Sequence, residues 1–173
     1  MKALSGYRTK SLPVGAEIDT CDNSGAKVIK LISVKGHKTV RRRIAAGGVG
    51  DIITASVIKG KPDMRHKVVR AVIVRQKKAY KRPDGSRIKF EDNAAAIIKD
   101  DKGNPKGTIF KGAVAKEATE RWPGISKVAR IIIWRYGQGY GIEALIQENR
   151  GSLGIMHHYI LNKNLCMFIY HQN

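Results

Sequence analysis

The sequence predicts a mainly β domain, a small barrel or sandwich of short strands that carries one cationic hairpin, and three observations predict it. Short β-branched runs recur at residues 28–34 (VIKLISV), 52–58 (IITASVI) and 68–74 (VVRAVIV), bounded by Gly, Asp or Lys-Gly and too short to prefer a helix. Two turn clusters come next, Arg82-Pro83-Asp84-Gly85-Ser86 and the stretch 100–107 (DDKGNPKG), which together suit an antiparallel meander. Ahead of them the apolar pattern runs into a cationic segment and then back out. Residues 59–89 hold twelve Lys or Arg against Asp63 and Asp84, an excess of ten positive charges.

Each element has its own reason. In the first turn Pro83 presets φ at the second position and Gly85 tolerates the conformation needed after it, so this turn should tip the cationic hairpin. The run Ala94-Ala95-Ala96-Ile97-Ile98 reads as the strand that leaves the hairpin, ending at the second turn cluster. From there the period changes. Residues 114–122 (VAKEATERW) place apolar and charged side chains at helical spacing, are rich in Ala, Glu and Lys, and stop before Pro123, so a short helix is expected. No fixed-period repeat or low-complexity linker interrupts residues 1–133, which read as one domain.

The last forty residues, 134–173, differ. They carry Arg135, Arg150 and Lys163 against Glu143 and Glu148, so +18 of the formal net charge of +19 belongs to residues 1–133. The tail has glycines at 137, 139 and 141 and then IMHHYILNKNLCMFIYHQN, apolar but interrupted too often for a transmembrane span, which needs roughly twenty mostly apolar residues. Its Ile, Asn, Tyr, Lys and His content, encoded by A/T-rich codons, suggests translation beyond an ancestral gene end; a genuine interaction tail is the competing reading. Either way it is an atypical C-terminal extension.

Composition narrows the function. A net charge of +19 and a pI near 10.2 on 173 residues point to a polyanionic partner, nucleic acid ahead of an anionic membrane. At 42% hydrophobic the chain can bury a core. Cys21 and Cys166 lie far apart without a CxxC or Cys/His ligand spacing, which supports neither a zinc site nor a disulfide framework and fits a reducing compartment. The first fifteen residues lack the apolar core of a secretory signal.

The candidate RNA-binding residues are therefore cationic: Arg41, Arg42, Arg43, Lys59, Lys61, Arg65, Lys67, Arg70, Arg75, Lys77, Lys78, Lys81, Arg82, Arg87 and Lys89, together with Tyr80. Three adjacent guanidiniums at 41–43 can engage converging phosphates bidentately, which Lys does less well. Tyr80 and Phe90 lie among the cations. An aromatic there can stack an unpaired base or pack at the ribbon's foot; Phe90 is read as core, and Tyr80 is open between the two. Strand alternation puts about half of the cations between Arg65 and Lys89 on each face. Binding through them would be mainly electrostatic, with a log-log salt slope on the order of −0.7 to −0.9 per phosphate contact.

Other chemistries find little support. No Gly-rich loop runs into Lys-Ser or Lys-Thr at P-loop spacing, and Gly137-Gln138-Gly139-Tyr140-Gly141 misses the dinucleotide pattern. His157, His158 and His171 lack carboxylate or Cys partners at ligand spacing, so neither a metal nor another cofactor is expected. The acids Asp51, Asp63, Asp84, Glu91 and Asp92 pair with no nucleophile, which disfavours catalysis. A free-standing small-barrel RNA or DNA chaperone stays open on composition alone.

Specific motifs carry a resemblance. A small residue, three aliphatics, a spacer, then Asp-Gly, an aromatic and Asn are met by Ala71-Val72-Ile73-Val74, Asp84-Gly85, Phe90 and Asn93. Asp22-Asn23-Ser24-Gly25-Ala26-Lys27, Gly48-Val49-Gly50-Asp51, Gly107-Thr108 and Val114-Ala115-Lys116-Glu117 add further matches. Over residues 14–133 the chain thus resembles the universal large-subunit ribosomal protein family fourteen, in its archaeal and eukaryotic style. Ala96 departs from that pattern where Val is usual, and Ala113 where Pro is usual. The missing methyls at Ala96 would cost on the order of 1 kcal/mol if the site is buried.

The resemblance implies a small closed five-stranded antiparallel β barrel with a protruding cationic β ribbon and short C-terminal helical elements. It implies a non-enzymatic, cytoplasmic place in the large ribosomal subunit near the subunit interface. The implied partners are large-subunit rRNA, neighbouring ribosomal proteins, small-subunit rRNA at an intersubunit bridge, and initiation factor six. Nothing carries over to residues 134–173.

Overall fold

The structure, a computed structural model, describes residues 4, 6, 8–37 and 40–134. Five strands close into a barrel: β2 (Glu17–Thr20), β3 (Ala26–Val34), β5 (Ile52–Gly60), β6 (Val68–Arg75) and β9 (Ala94–Ile98), in the order β2-β3-β5-β6-β9. Four of the barrel seams are antiparallel, as the meander predicts. The closing seam is parallel, with Asp19 beside Ala94 and Thr20 beside Ala95. The strands at the two ends of the order enter the barrel in the same direction, and a hairpin turn cannot join such a pair.

Register explains the core. Ile18 lies opposite Ile29, Ile29 opposite Val57, Leu31 opposite Ala55, Ile53 opposite Ala71, Ala71 opposite Ile97 and Ile73 opposite Ala95, so one face of every strand points inward. These residues are at most 1% exposed. A one-residue slip would turn the set outward, so burial itself fixes the register. Gly60 marks a close approach, because a Cβ there would come within 2.7 Å of the Gly25 carbonyl where the ends of β3 and β5 meet.

Strand β9 is buried on both faces. The outward Val72 and Val74 of β6 lie under the C-terminal part of the chain. That part comprises β10 (Ala113–Ala115), α1 (Lys116–Arg121), α2 (Pro123–Val128) and β11 (Ile131–Ile133). Helix α1 starts later than its periodicity predicts, because Val114 and Ala115 pair in parallel with Ile132 and Ile133 instead. Pro123 ends α1 as expected and also opens α2 at its first position, where a missing N–H costs nothing. Trp122 between the helices is 1% exposed and donates its indole N–H to the Gly50 carbonyl at 2.8 Å, tying the helical cap to the barrel.

Two short pairs complete the fold: β1 (Leu12–Pro13) with β4 (Ala46–Gly47), and the hairpin β7 (Tyr80–Lys81) with β8 (Arg87–Ile88). The hairpin turn is a three-residue loop, with the Arg82 N–H donating to the Ser86 carbonyl at 2.8 Å and Gly85 at φ +87°, the pattern of a turn closed by a left-handed residue. The C-terminal extension falls outside the described residues, apart from Trp134.

Candidate nucleic-acid interface

The ribbon sorts its side chains by period two. Tyr80, Arg82, Ile88 and Phe90 turn inward and are at most 6% exposed, while Lys81, Arg87 and Lys89 are exposed. Lys81 lies directly opposite Arg87. Like charges so placed repel within the free chain, and a polyanion over that face removes the repulsion.

Three of the sequence candidates, Tyr80, Arg82 and Arg75, have partners within the fold. Tyr80 donates its hydroxyl to Glu117 Oε2 at 2.8 Å, so its ring packs at the ribbon's foot and cannot stack a base. Arg82 gives its Nε and Nη2 to the Glu117 carboxylate and its remaining reach to the Trp134 and Ile133 carbonyls, at 2.8 and 2.9 Å. Arg75 grips Asp92 bidentately, at 2.7 and 2.9 Å, and donates to the Lys111 and Ala113 carbonyls. All three donors are committed inside the fold: alternation turns Tyr80 and Arg82 toward the helical cap, and a register irregularity in β6 after Ile73 redirects Arg75 to Asp92. Burial and the neighbouring Glu117 charge push the Tyr80 phenol pKa up. Burial works to lower that of Arg82, but the hydrogen bonds and charge of Glu117 outweigh it and hold it above its ordinary value.

The remaining cations stay at the surface. Arg41, Arg42 and Arg43 form an exposed turn in which the Arg43 N–H donates to the Val40 carbonyl at 2.8 Å and Arg42 sits at φ +70°. A non-glycine residue there costs on the order of 1 kcal/mol. Lys59, Lys61, Arg65 and Lys67 are exposed around the β5–β6 connection. Arg70 shares Asp101 with Lys35, at 2.6 and 3.0 Å, so its charge is partly answered.

Lys77, Lys78 and Lys89 meet at an open groove of about 530 Å³ at the ribbon's foot, whose lining also includes Ser11, Leu12 and Asn93. Among the described residues no acid pairs with these three lysines. Ser11, Leu12 and Asn93 escaped sequence reasoning as a site, since only the β1–β4 pair and the end of the ribbon bring them together; Asn93 did stand in the motif.

The other motifs are structural. Asp22 accepts from the Ile97 N–H and from the Ser24 hydroxyl, and Asn23 exchanges two hydrogen bonds with Thr108, stitching the 105–112 loop to the barrel. Burial raises the Asp22 pKa above its ordinary value even so. Asp51 accepts from the Gly48 N–H and pairs with Arg121 at 2.8 Å and Arg8 at 3.5 Å. Among the described residues no three His, Cys, Asp or Glu side chains cluster as a metal site, and no helix is long and apolar enough to cross a membrane. What the surface can do chemically is hold phosphates.

Comparison with known proteins agrees with that arrangement. Residues 11–133 match the family model described as ribosomal protein L14p/L23e. The large ribosomal subunit protein uL14 of Nanoarchaeum equitans is 56% identical over 133 residues, which is 77% of this chain and 100% of the relative. The proteins of the same name from Methanococcus maripaludis (strain C7) and Thermoplasma acidophilum are each 53% identical, covering 76% and 77% of this chain and 99% and 100% of theirs.

Proposed function

Because the chain belongs to the ribosomal protein L14p/L23e family, we propose that it is a structural constituent of the large ribosomal subunit, held there by large-subunit rRNA. The observation that carries the binding mode is the ribbon, whose inward residues lock onto the helical cap while Lys81, Arg87 and Lys89 form an outward face of one sign. Arg41, Arg42, Arg43, Lys59, Lys61, Arg65, Lys67, Arg70, Lys77 and Lys78 extend that surface. A rigid barrel presenting exposed cations releases counterions on phosphate binding without ordering its own backbone. Arg75, Tyr80 and Arg82 act instead by keeping the ribbon in place.

Placement near the subunit interface, a bridge to small-subunit rRNA, contacts with neighbouring ribosomal proteins and docking of initiation factor six form the finer part of this reading, in the cytoplasm, and rest on the family resemblance. Residues 1–133 are the rRNA-binding domain and 134–173 an added segment, a division supported by the family match ending at residue 133. The test is salt-resistant, stoichiometric co-sedimentation with large subunits. An assembled protein keeps it at moderate salt, whereas a free chaperone with the same charge washes off.

A further inference from the structure

We propose that the aliphatic patch of Val14, Ile32, Val40 and Ile44 is a docking surface for another protein of the large subunit, one that lays apolar side chains flanked by carboxylates against it. This deepens the proposed place in the large subunit and rests on it, naming the surface and the chemistry of a neighbouring protein.

The patch is a concentration of apolar side chains rather than a scatter. Seven large hydrophobic side chains are exposed among the described residues, and these are four of them, from 44% at Val14 to 73% at Ile44. Single exposed aliphatics call for no explanation, whereas several brought to one place mark an interaction surface. The backbone brings them together. Beyond β1, the Val14 N–H donates to the Ala45 carbonyl at 3.1 Å, the Gly15 N–H to the Leu31 carbonyl at 2.8 Å and the Leu31 N–H to the Ala16 carbonyl at 2.9 Å. Residues 14–16 therefore run between residue 45 and β3, with Ile44 next along the chain on one side and Ile32 on the other. Leu12 and Leu31 turn into the core, so period two sends Val14 and Ile32 outward. The Arg43 N–H, bonded to the Val40 carbonyl at 2.8 Å, folds Val40 back toward Ile44.

The border of the patch selects the occupant. Arg41, Arg42 and Arg43 separate Val40 from Ile44, are exposed, and pair with no acid among the described residues. Carboxylates answer guanidiniums as phosphates do, so the turn can stand where RNA and protein meet. RNA alone does not account for the aliphatics, because unpaired bases are gripped by flat aromatic or guanidinium faces and branched side chains offer none. A second copy is disfavoured as well, since a symmetric contact would oppose two sets of three guanidiniums and bring together two chains of net charge +19. An apolar centre beside arginines is the composition of a protein interface.

The experiment places the photo-reactive amino acid p-benzoylphenylalanine at Ile44 of the full chain and irradiates large subunits purified at moderate salt. The expected product is a cross-link to a single other protein of the subunit, through a peptide that holds aliphatic and acidic residues. Val40→Ser combined with Ile44→Ser should lower retention of the chain in salt-washed subunits about five- to thirtyfold. The same variant should bind a purified RNA hairpin as tightly as the native chain and keep its unfolding midpoint, because both side chains are exposed. Cross-linking to rRNA, to a second copy or to residues 135–173, unchanged retention of the variant, or weakened hairpin binding by it overturns the docking assignment alone. Failure of the native chain to enter large subunits overturns the broader reading with it.

Discussion

Arg82 and Glu117 show how a single pair decides what the ribbon does. The side chains are 4% and 10% exposed, and Glu117 also takes the Tyr80 hydroxyl. Glu117→Gln leaves a guanidinium buried with no counter-charge, so it should cost about 3–5 kcal/mol and lower the unfolding midpoint by roughly 6–20 °C. Replacing Arg41, Arg42 and Arg43 by Gln should leave that midpoint nearly unchanged, since their side chains are exposed and solvated. Thermal denaturation of the two variants checks both. Cys21 gives a pH test. It is 2% exposed, and burial pushes its thiol pKa from 9.0 up to about 12. A raised folded pKa means that this stability is fully present below pH 9 and is lost as pH rises toward 12. Relative to Cys21→Ala, the native chain should therefore lose stability between those values, and alkylation read at the Cys21 peptide should be slow at about pH 8 until the chain unfolds.

At the level of elements, the barrel strands were legible because β-branched runs of the right length end at turn residues. Alternation along Lys81, Arg87 and Lys89 was legible too, but its phase was not: nothing local says that Tyr80 and Arg82 face a helix far along the chain. Helix α1 begins late because Val114 and Ala115 pair with β11, whose three isoleucines are distant in sequence, and that pairing overrides helical propensity. Lys81→Gln with Arg87→Gln should lower the magnitude of the log-log salt slope for RNA by about 1.4–1.8 and leave stability unchanged or slightly higher, as an opposed like-charged pair disappears. The second turn cluster holds a harder constraint. A Cβ at Gly103 would lie 2.4 Å from Trp122 Cε3 at φ +85°, so Gly103→Ala should destabilise by about 1–3 kcal/mol, visible in a urea midpoint.

Across the whole molecule, charge and structure divide the labour. The helical cap packs against β6 and clamps the ribbon, Ala96 is 0% exposed, and the exposed cations are left to the solvent side. The chain past Trp134 begins at a carbonyl that Arg82 holds. A chain ending after Trp134 should keep that hydrogen bond and enter the large subunit as the full chain does; failure to enter would assign residues 135–173 a part in assembly. The most direct test of the central claim is quantitative mass spectrometry of sucrose-gradient ribosome fractions at moderate salt, tracking peptides from residues 71–89. Co-migration with large subunits at one copy each is the predicted result, and recovery of those peptides only in the ribosome-free fractions would contradict it.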